Sequence, residues 1–462
     1  MDIKKLLPQM ITVILALIIL LFVMIIPLGV ADGGGQYKTM EGLNLYYLNP
    51  PTDNYFQTSF GVDLNKQAKP ADNTLEYVAK LAINSFSDNG IFSVKIMGII
   101  CSILFLIGLL IFVRGGKSDR FKWTNLAFSG LLVFIFADLG YLTFFNTLYT
   151  EGLTLVLLLI SVGLLLYCHN IRNVPIYIAP LITISTIAFS LIGTLQAIVG
   201  AIIGILIMRM ALLCDKKINW YVVAICGGLV FSIASKFAIG YAPVDYEKNI
   251  YNSVFFGVAN HESVSEIGLN PKLDQLKGKF YTEDIAKSYN LKNEFYNKIS
   301  YGRITKYYAT HIGSFLKEFK SVSSNAFFLR AGYLGNFAQG SNAQPKEQAN
   351  GFNLYSLLKA KFIPNTTFFV FIMFAMYFGI LIYMYYTERG RRLILEVFIG
   401  LGIAAAACMK MPIILSGSFE LSRSLYMFNI LFDLMIVTTL IAGGRVLLER
   451  RENLTKKYGI KQ

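Results

Sequence analysis

Charge is what this sequence has least of. Charged residues make up 15% of its 462 positions, against 55% hydrophobic ones, which excludes a soluble chain of several domains. There are five cysteines (Cys101, Cys168, Cys214, Cys226, Cys408), all within or beside apolar segments. No disulfide framework or cysteine zinc site follows from them. Only three histidines and two tryptophans occur. Walker A, G-x-G-x-x-G after a strand, G-x-S-x-G and H-E-x-x-H are all missing, so ATP-driven transport and zinc proteolysis lack their familiar signatures. Internal repeats of 20–50 residues and low-complexity tracts are missing too. The net charge of +14 suggests nucleic acid at first sight, but the basic residues fall as membrane topology would place them.

Long apolar runs are abundant. A helix needs roughly 17 residues or more to cross a hydrocarbon core of about 30 Å. Ten runs meet that need, at 10–30, 93–113, 125–144, 151–168, 175–191, 194–213, 219–239, 367–386, 393–411 and 424–444. The chain therefore reads as an all-α polytopic membrane protein with about ten transmembrane helices, seven plus three. Pro175, Pro180 and Gly193 interrupt the fifth and sixth runs, so these two form either full spans or a re-entrant pair. The first run is long and lacks a clear A-x-A site, which favours a retained span over a signal peptide.

Nineteen Lys and Arg residues, from Lys4 and Lys5 to the basic tail, flank the spans on one side, whereas the short turns at 145–150 and 192–193 carry none. The positive-inside rule then puts both termini in the cytoplasm. Trp123 and Trp220 fall at the same interface, as belt residues do. The organisation expected is a seven-helix module over 1–239 with an outer loop at 31–92, an extracytoplasmic segment over 240–366, and a three-helix module over 367–462 with a cytoplasmic tail.

Both outer segments carry helix signals. In the first, Asn73 and Glu76 form an N-cap pattern. Leu75, Val78, Ala79, Ala82 and Phe86 follow as an apolar stripe suited to the outer leaflet. In the second, Thr282 with Glu283 and Asp284 starts a helix. Tyr308, Ile312, Phe315, Leu316, Phe319 and Val322 give another stripe at three- and four-residue steps.

The candidate functional residues share the outer face. Asp138 and Glu151 bracket a polar-aromatic turn, and acids held at a bilayer edge are costly enough to suggest function. Tyr141, Asn146 and Tyr149 in that turn complete a set able to hold sugar hydroxyls or a divalent ion. Asp32 follows the first span beside Gly33, Gly34 and Gly35, where a carboxylate could take a proton from an attacking hydroxyl. Glu420 and Arg423 precede the last span, and arginine presents a planar fork to phosphate oxygens. Arg330 is a second phosphate candidate. His311 stands on the second stripe, where a lone histidine is commonly structural. Asp433, near a membrane midplane with Asn429 on its face, is expected to bond a neighbouring helix.

The order of several short motifs resembles the GT-C class of membrane glycosyltransferases. Within it, the chain is similar to bacterial hexosyltransferases of surface-glycan (S-layer) assembly. The motifs are Asp138-Leu-Gly-Tyr141, Phe145-Asn146-Thr-Leu-Tyr149-Thr-Glu151, Ser253-Val-Phe-Phe-Gly257, Glu266-Ile-Gly-Leu-Asn270-Pro, Tyr308 to His311, Tyr333-Leu-Gly-Asn336 and Tyr426-Met-Phe-Asn429-Ile-Leu-Phe-Asp433. The resemblance implies a polyprenyl-phosphate-linked sugar as donor and a glycan or other hydroxyl as acceptor. It implies Asp32 as base; the topology places Asp138 and Glu151 beside it on the outer face. Gly33–Gly35 and Ser424 depart from the class, standing where a further acid and a histidine are expected. The partners expected are these substrates and membrane lipids, with no nucleic acid and no nucleotide cofactor; a divalent metal ion is compatible with the acids. A surface-polysaccharide polymerase or ligase and a lipid-linked glycan flippase share the outline.

Overall fold

The computed structural model describes residues 3–31, 35–66, 69–117, 122–171, 174–240, 246–388, 391–419 and 421–458. The chain is an all-α polytopic membrane protein with two small sheets. Its principal elements are α1 (Ile3–Ile25), β1 (Leu28–Val30), β2 (Leu45–Tyr47), β3 (Ser59–Val62), α2 (Thr74–Phe86), β4 (Ile91–Ser93), α3 (Lys95–Gly115) and α4 (Lys122–Phe136). There follow α5 (Leu139–Leu142), α6 (Thr150–Asn170), α7 (Ile178–Ser190), α8 (Thr194–Met210) and α9 (Lys217–Gly240). The second polar segment holds α10 (Tyr246–Phe255), α11 (Tyr301–Thr310), α12 (Ile312–Asn325), β5 (Leu334–Phe337) and α13 (Leu354–Phe362). The last three helices are α14 (Thr367–Thr387), α15 (Arg392–Leu415) and α16 (Tyr426–Tyr458).

Each of the ten apolar runs is helical over most of its length, but they are not ten equal spans. Among the described residues, seven helices are long and apolar enough to cross a membrane, and an eighth is a pair bent by 54° between Phe136 and Leu139. α7 has 13 residues, about 20 Å at helical rise and short of the hydrocarbon thickness. Pro175 lies just outside it and Pro180 in its first turn, where a proline's missing N–H costs no ladder bond. The apolar part of α16 covers only Tyr426–Leu440.

The bundle is built around α6, whose apolar stretch is 89% buried, whereas that of the peripheral α14 is 17% buried. α3 packs along α6, and α8 along α9. A Cβ on Gly227 would lie 2.5 Å from the Met208 amide nitrogen, so these backbones approach as only glycine permits.

The first polar segment is more than the helix its stripe announces. β2, β3 and β4 form an antiparallel sheet. α2 begins where expected: Asn73 Oδ1 accepts from the Glu76 amide at 2.9 Å, and Glu76 Oε2 accepts from the Asp72 amide at 3.0 Å. This is a reciprocal cap. The Thr74 hydroxyl donates to the Ala188 carbonyl at 2.8 Å, docking α2 on the end of α7. β1 pairs antiparallel with β5, tying the exit of the first span to the second polar segment.

In that second segment Thr282 caps a short helix, Glu283–Ser288, as its sequence predicts. The stripe from Tyr308 to Val322 is two helices, however, broken at His311 with φ −115° and ψ 66°. The Thr310 hydroxyl and His311 Nδ1 both bond the Tyr307 carbonyl, each at 3.0 Å, and compete with the helical ladder there. Ile312 and Leu316 are exposed, and Phe319 and Val322 are buried.

Candidate active site

The turns at 149–151, 192–196, 238–240 and 415–427 meet at one end of the bundle. They enclose a cavity of about 1340 Å³ together with residues from both polar segments. Its walls mix three kinds of surface. Tyr149, Tyr246, Tyr301, Tyr333, Phe419 and Tyr426 supply aromatic faces, and Leu195, Ile239, Leu415 and Met427 supply aliphatic ones. Lys248, Lys346 and Arg423 supply positive charge, and Asp53, Glu76 and Glu151 negative charge.

The centre of the polar wall is an ion pair across the fold. Glu151 stands in the first turn of α6, where the helix dipole favours an acid. Its Oε1 accepts from Arg423 Nε at 2.8 Å. The Arg423 guanidinium carbon lies 3.9 Å from the centre of the Tyr149 ring, within cation–π range. Thr150 donates to the other Glu151 oxygen at 3.3 Å. The acid is nearly buried while the arginine side chain is one-third exposed, so the arginine is the part of the pair more open to the cavity. The Tyr426 hydroxyl, also on the wall, is buried without a hydrogen-bond partner. A buried orphan hydroxyl is a cost unless something bonds it.

Of the residues expected from the sequence, Tyr149, Glu151 and Arg423 come together here. Asp32 and Glu420 lie outside the described residues, though Ala31 and Phe419 line the cavity. Asp138 does not line it. One Asp138 oxygen caps α5 at the Gly140 amide, 2.8 Å away, and the other accepts from the Ser356 amide at 2.9 Å. It thus stitches the bent span to α13. Tyr141 is also elsewhere, with its hydroxyl 2.5 Å from Asp433 Oδ2. Asn146 donates to the Val23 and Leu28 carbonyls at 3.2 and 2.9 Å, holding the exit of α1.

Arg330 donates to the Ala349 carbonyl at 2.6 Å under β5. Burial lowers its pKa, and Asp138 opposes that shift. His311 sits at the far end of α11 from the cavity, stacked on Tyr307. Asp433 makes the interhelical bond expected of it, and makes it three times over, to Tyr141, Tyr355 and Lys359.

Lys248, Lys346 and Gln196 went unremarked in the sequence. Lys248 stands in the first turn of α10, Gln196 in the first turn of α8 and Lys346 in the loop after β5, and only folding brings them to one wall. Glu76 also reaches the cavity, although both its oxygens already serve the α2 cap.

Residues 1–461 match the family model described as the YfdI N-terminal transmembrane domain. The chain belongs to this family. YfdI proteins are a GT-C-like family of membrane glycosyltransferases, in keeping with the class that the chain's motifs resemble. No curated protein matches the chain.

Proposed function

We propose that this protein is a hexosyltransferase of the GT-C type. It would move a sugar from a polyprenyl-phosphate donor to a glycan or other hydroxyl acceptor at the outer face of the cytoplasmic membrane, with both termini cytoplasmic. The observation that carries the reading is the Glu151–Arg423 pair on the wall of a cavity with lipid-like and sugar-like surfaces side by side. Aliphatic walls suit a prenyl chain, aromatic rings suit the C–H faces of a sugar, and Arg423, Lys248 and Lys346 suit a phosphate. The volume of about 1340 Å³ exceeds the roughly 300–1,000 Å³ of ordinary small-molecule sites, leaving room for donor and acceptor together.

In this reading the acceptor hydroxyl attacks the anomeric carbon and a new C–O bond forms there. The bond from that carbon to the phosphate oxygen breaks, and the prenyl phosphate leaves with the electron pair. A carboxylate takes the hydroxyl proton; Asp32, assigned by the resemblance, is that base. Arg423 neutralises charge gathering on the leaving phosphate, where a preorganised donor is worth most. Glu151 holds the guanidinium on the Tyr149 ring so that no reorganisation is needed as the bond breaks. Asp138 acts at a distance, by fixing the bent span against α13.

The same volume also accommodates an oligosaccharide, the substrate of a polymerase or ligase. Membranes containing the protein are to be supplied with labelled prenyl-phosphate monosaccharide, and transfer to a polymeric product followed. Transfer that fails in Arg423→Ala and Asp32→Asn supports the hexosyltransferase. No transfer from the monosaccharide donor by the native protein, with transfer from a lipid-linked oligosaccharide, would establish the ligase instead. Movement of intact lipid-linked sugar across the membrane with no covalent product would establish a flippase.

A further inference from the structure

Gln196 stands in the first turn of α8 and lines the cavity. Its Nε2 donates to the Thr154 hydroxyl oxygen at 2.9 Å. That hydroxyl commits its only proton to the Thr150 carbonyl, 2.9 Å away, so toward Gln196 it can only accept. The amide is therefore fixed with its NH₂ toward α6 and its oxygen on the other branch. Gly193 makes room for that oxygen, since a Cβ there would lie 2.9 Å from Oε1. The bond to Thr154 is the only one that the Gln196 side chain makes among the described residues. Its oxygen stays accessible on the cavity wall.

The same face of α6 holds Arg423. Glu151 anchors the guanidinium and Thr154 anchors the amide. These two are three residues apart on α6, neighbours on its surface and about 4.5 Å apart along its axis. A planar cation and a neutral acceptor thus stand side by side over one helical turn. Two acids of the wall are already engaged. Glu151 accepts from Arg423 and Thr150, and both oxygens of Glu76 serve the α2 cap. Gln196 adds an acceptor without adding negative charge, which beside a phosphate would repel.

In a sugar joined to phosphate through its anomeric carbon, the 2-hydroxyl is the hydroxyl nearest the phosphate. A phosphate at Arg423 therefore brings that hydroxyl nearest to Gln196. We propose that Gln196 selects the donor sugar, its Oε1 accepting a hydrogen bond from the 2-hydroxyl of a prenyl-phosphate hexose. The assignment rests on the hexosyltransferase reading and narrows its donor to hexoses that carry this hydroxyl. A site built to bond a hydroxyl rejects the analogue lacking it, because the protein's own polar atom is then left unpaired.

The test follows initial rates in membranes containing the full-length protein. Labelled prenyl-phosphate glucose, galactose and mannose are each compared with the 2-deoxy form. For the hexose it prefers, the native protein should show a kcat/KM about tenfold or more above that for the 2-deoxy donor. Gln196→Leu should lose about tenfold on the full donor and nothing further on the 2-deoxy donor, so the preference vanishes. The preference is a ratio taken on one preparation, so a lower yield of folded protein leaves it unchanged. Gln196→Glu keeps an acceptor oxygen, because the Thr154 hydroxyl can turn to donate to the other one. Its added charge should slow both donors alike and leave the preference in place.

Equal use of the two donors by the native protein overturns the assignment. So does a preference that Gln196→Leu retains or that Gln196→Glu loses. Each of these outcomes needs an active native protein and leaves the hexosyltransferase reading standing. Absence of transfer from all of these donors is a separate outcome, and it overturns that reading and the Gln196 assignment together.

Discussion

Lys359 and Asp433 form an ion pair of 2.6 Å with both side chains wholly shut off from solvent. Lys359 is on α13, an amphipathic helix of the second polar segment, and Asp433 is in the last apolar helix. Tyr355 and Tyr141 complete the acceptor's shell, each hydroxyl 2.5 Å from an Asp433 oxygen. The ammonium also lies 5.2 Å from the centre of the Phe432 ring. Breaking one side of such a pair leaves an uncompensated buried charge, which costs about 3–5 kcal/mol. Lys359→Met should therefore lower the unfolding temperature in detergent sharply. Lys359→Met with Asp433→Asn should recover part of the loss, because no charge is left stranded and the amide oxygen still accepts. Equal melting of the single variant and the native protein would remove the pair from the account of stability.

Arg423 offers a second test through charge geometry. Arg423→Lys keeps the positive charge but loses the planar fork and its stacking on Tyr149. A charge-assisted hydrogen bond is worth roughly 1.5–3 kcal/mol, or one to two powers of ten in rate. Transfer from a prenyl-phosphate donor should drop by that factor in Arg423→Lys and in Glu151→Gln, with melting temperatures little changed. Native rates in both variants would detach the pair from catalysis.

Glu318 sets a pH dependence. Burial raises its pKa above 4.5, and the hydrogen bond from His261 only partly opposes this. The remaining Glu318 oxygen is buried and unbonded, and Tyr307 and Tyr308 are its other titratable neighbours. The folded protein thus keeps a proton that the unfolded chain releases, so stability falls as pH rises from about 4.5 through the folded pKa. Glu318→Gln cannot titrate and should flatten that slope between pH 4.5 and 7 in thermal unfolding. An unchanged slope would assign the dependence to another group.

Neighbouring glycines of α9 should respond in opposite ways to alanine. At Gly227 a Cβ meets the backbone of α8, at 2.5 Å from the Met208 nitrogen, whereas at Gly228 it meets nothing within 4 Å. Gly227→Ala should cost about 1–3 kcal/mol by forcing the helices apart. Gly228→Ala should be neutral or stabilising by up to about 1 kcal/mol, since alanine favours the helix. Reversed or equal shifts in melting temperature would contradict the close crossing.

Hydropathy made the spans legible because a bilayer demands long apolar helices whatever their partners. The Asn73–Glu76 and Thr282 caps were legible as well, because capping is local. Three of the expected site residues, Tyr149, Glu151 and Arg423, meet at the cavity. Asp138 and Tyr141 show the limit of the same reasoning. A costly acid in a span signals that it has a partner, but its residue type does not distinguish a substrate from a helix end. Asp138 is bonded to Gly140 and Ser356, and the latter is far away in sequence.

The sequence by itself determined the class of architecture, the order of its apolar helices and the local starts of several polar ones. Each of these follows from periodicity and composition within a window of about twenty residues. Tertiary structure alone decided that α7 is short, that the stripe through His311 breaks there, and that Lys359 from the second polar segment pairs with Asp433 in the last helix. It alone decided that Lys248, Lys346 and Gln196 share a wall with Glu151 and Arg423. Those outcomes depend on which loops meet at one end of the bundle, and contacts between distant segments leave no mark in the segments themselves.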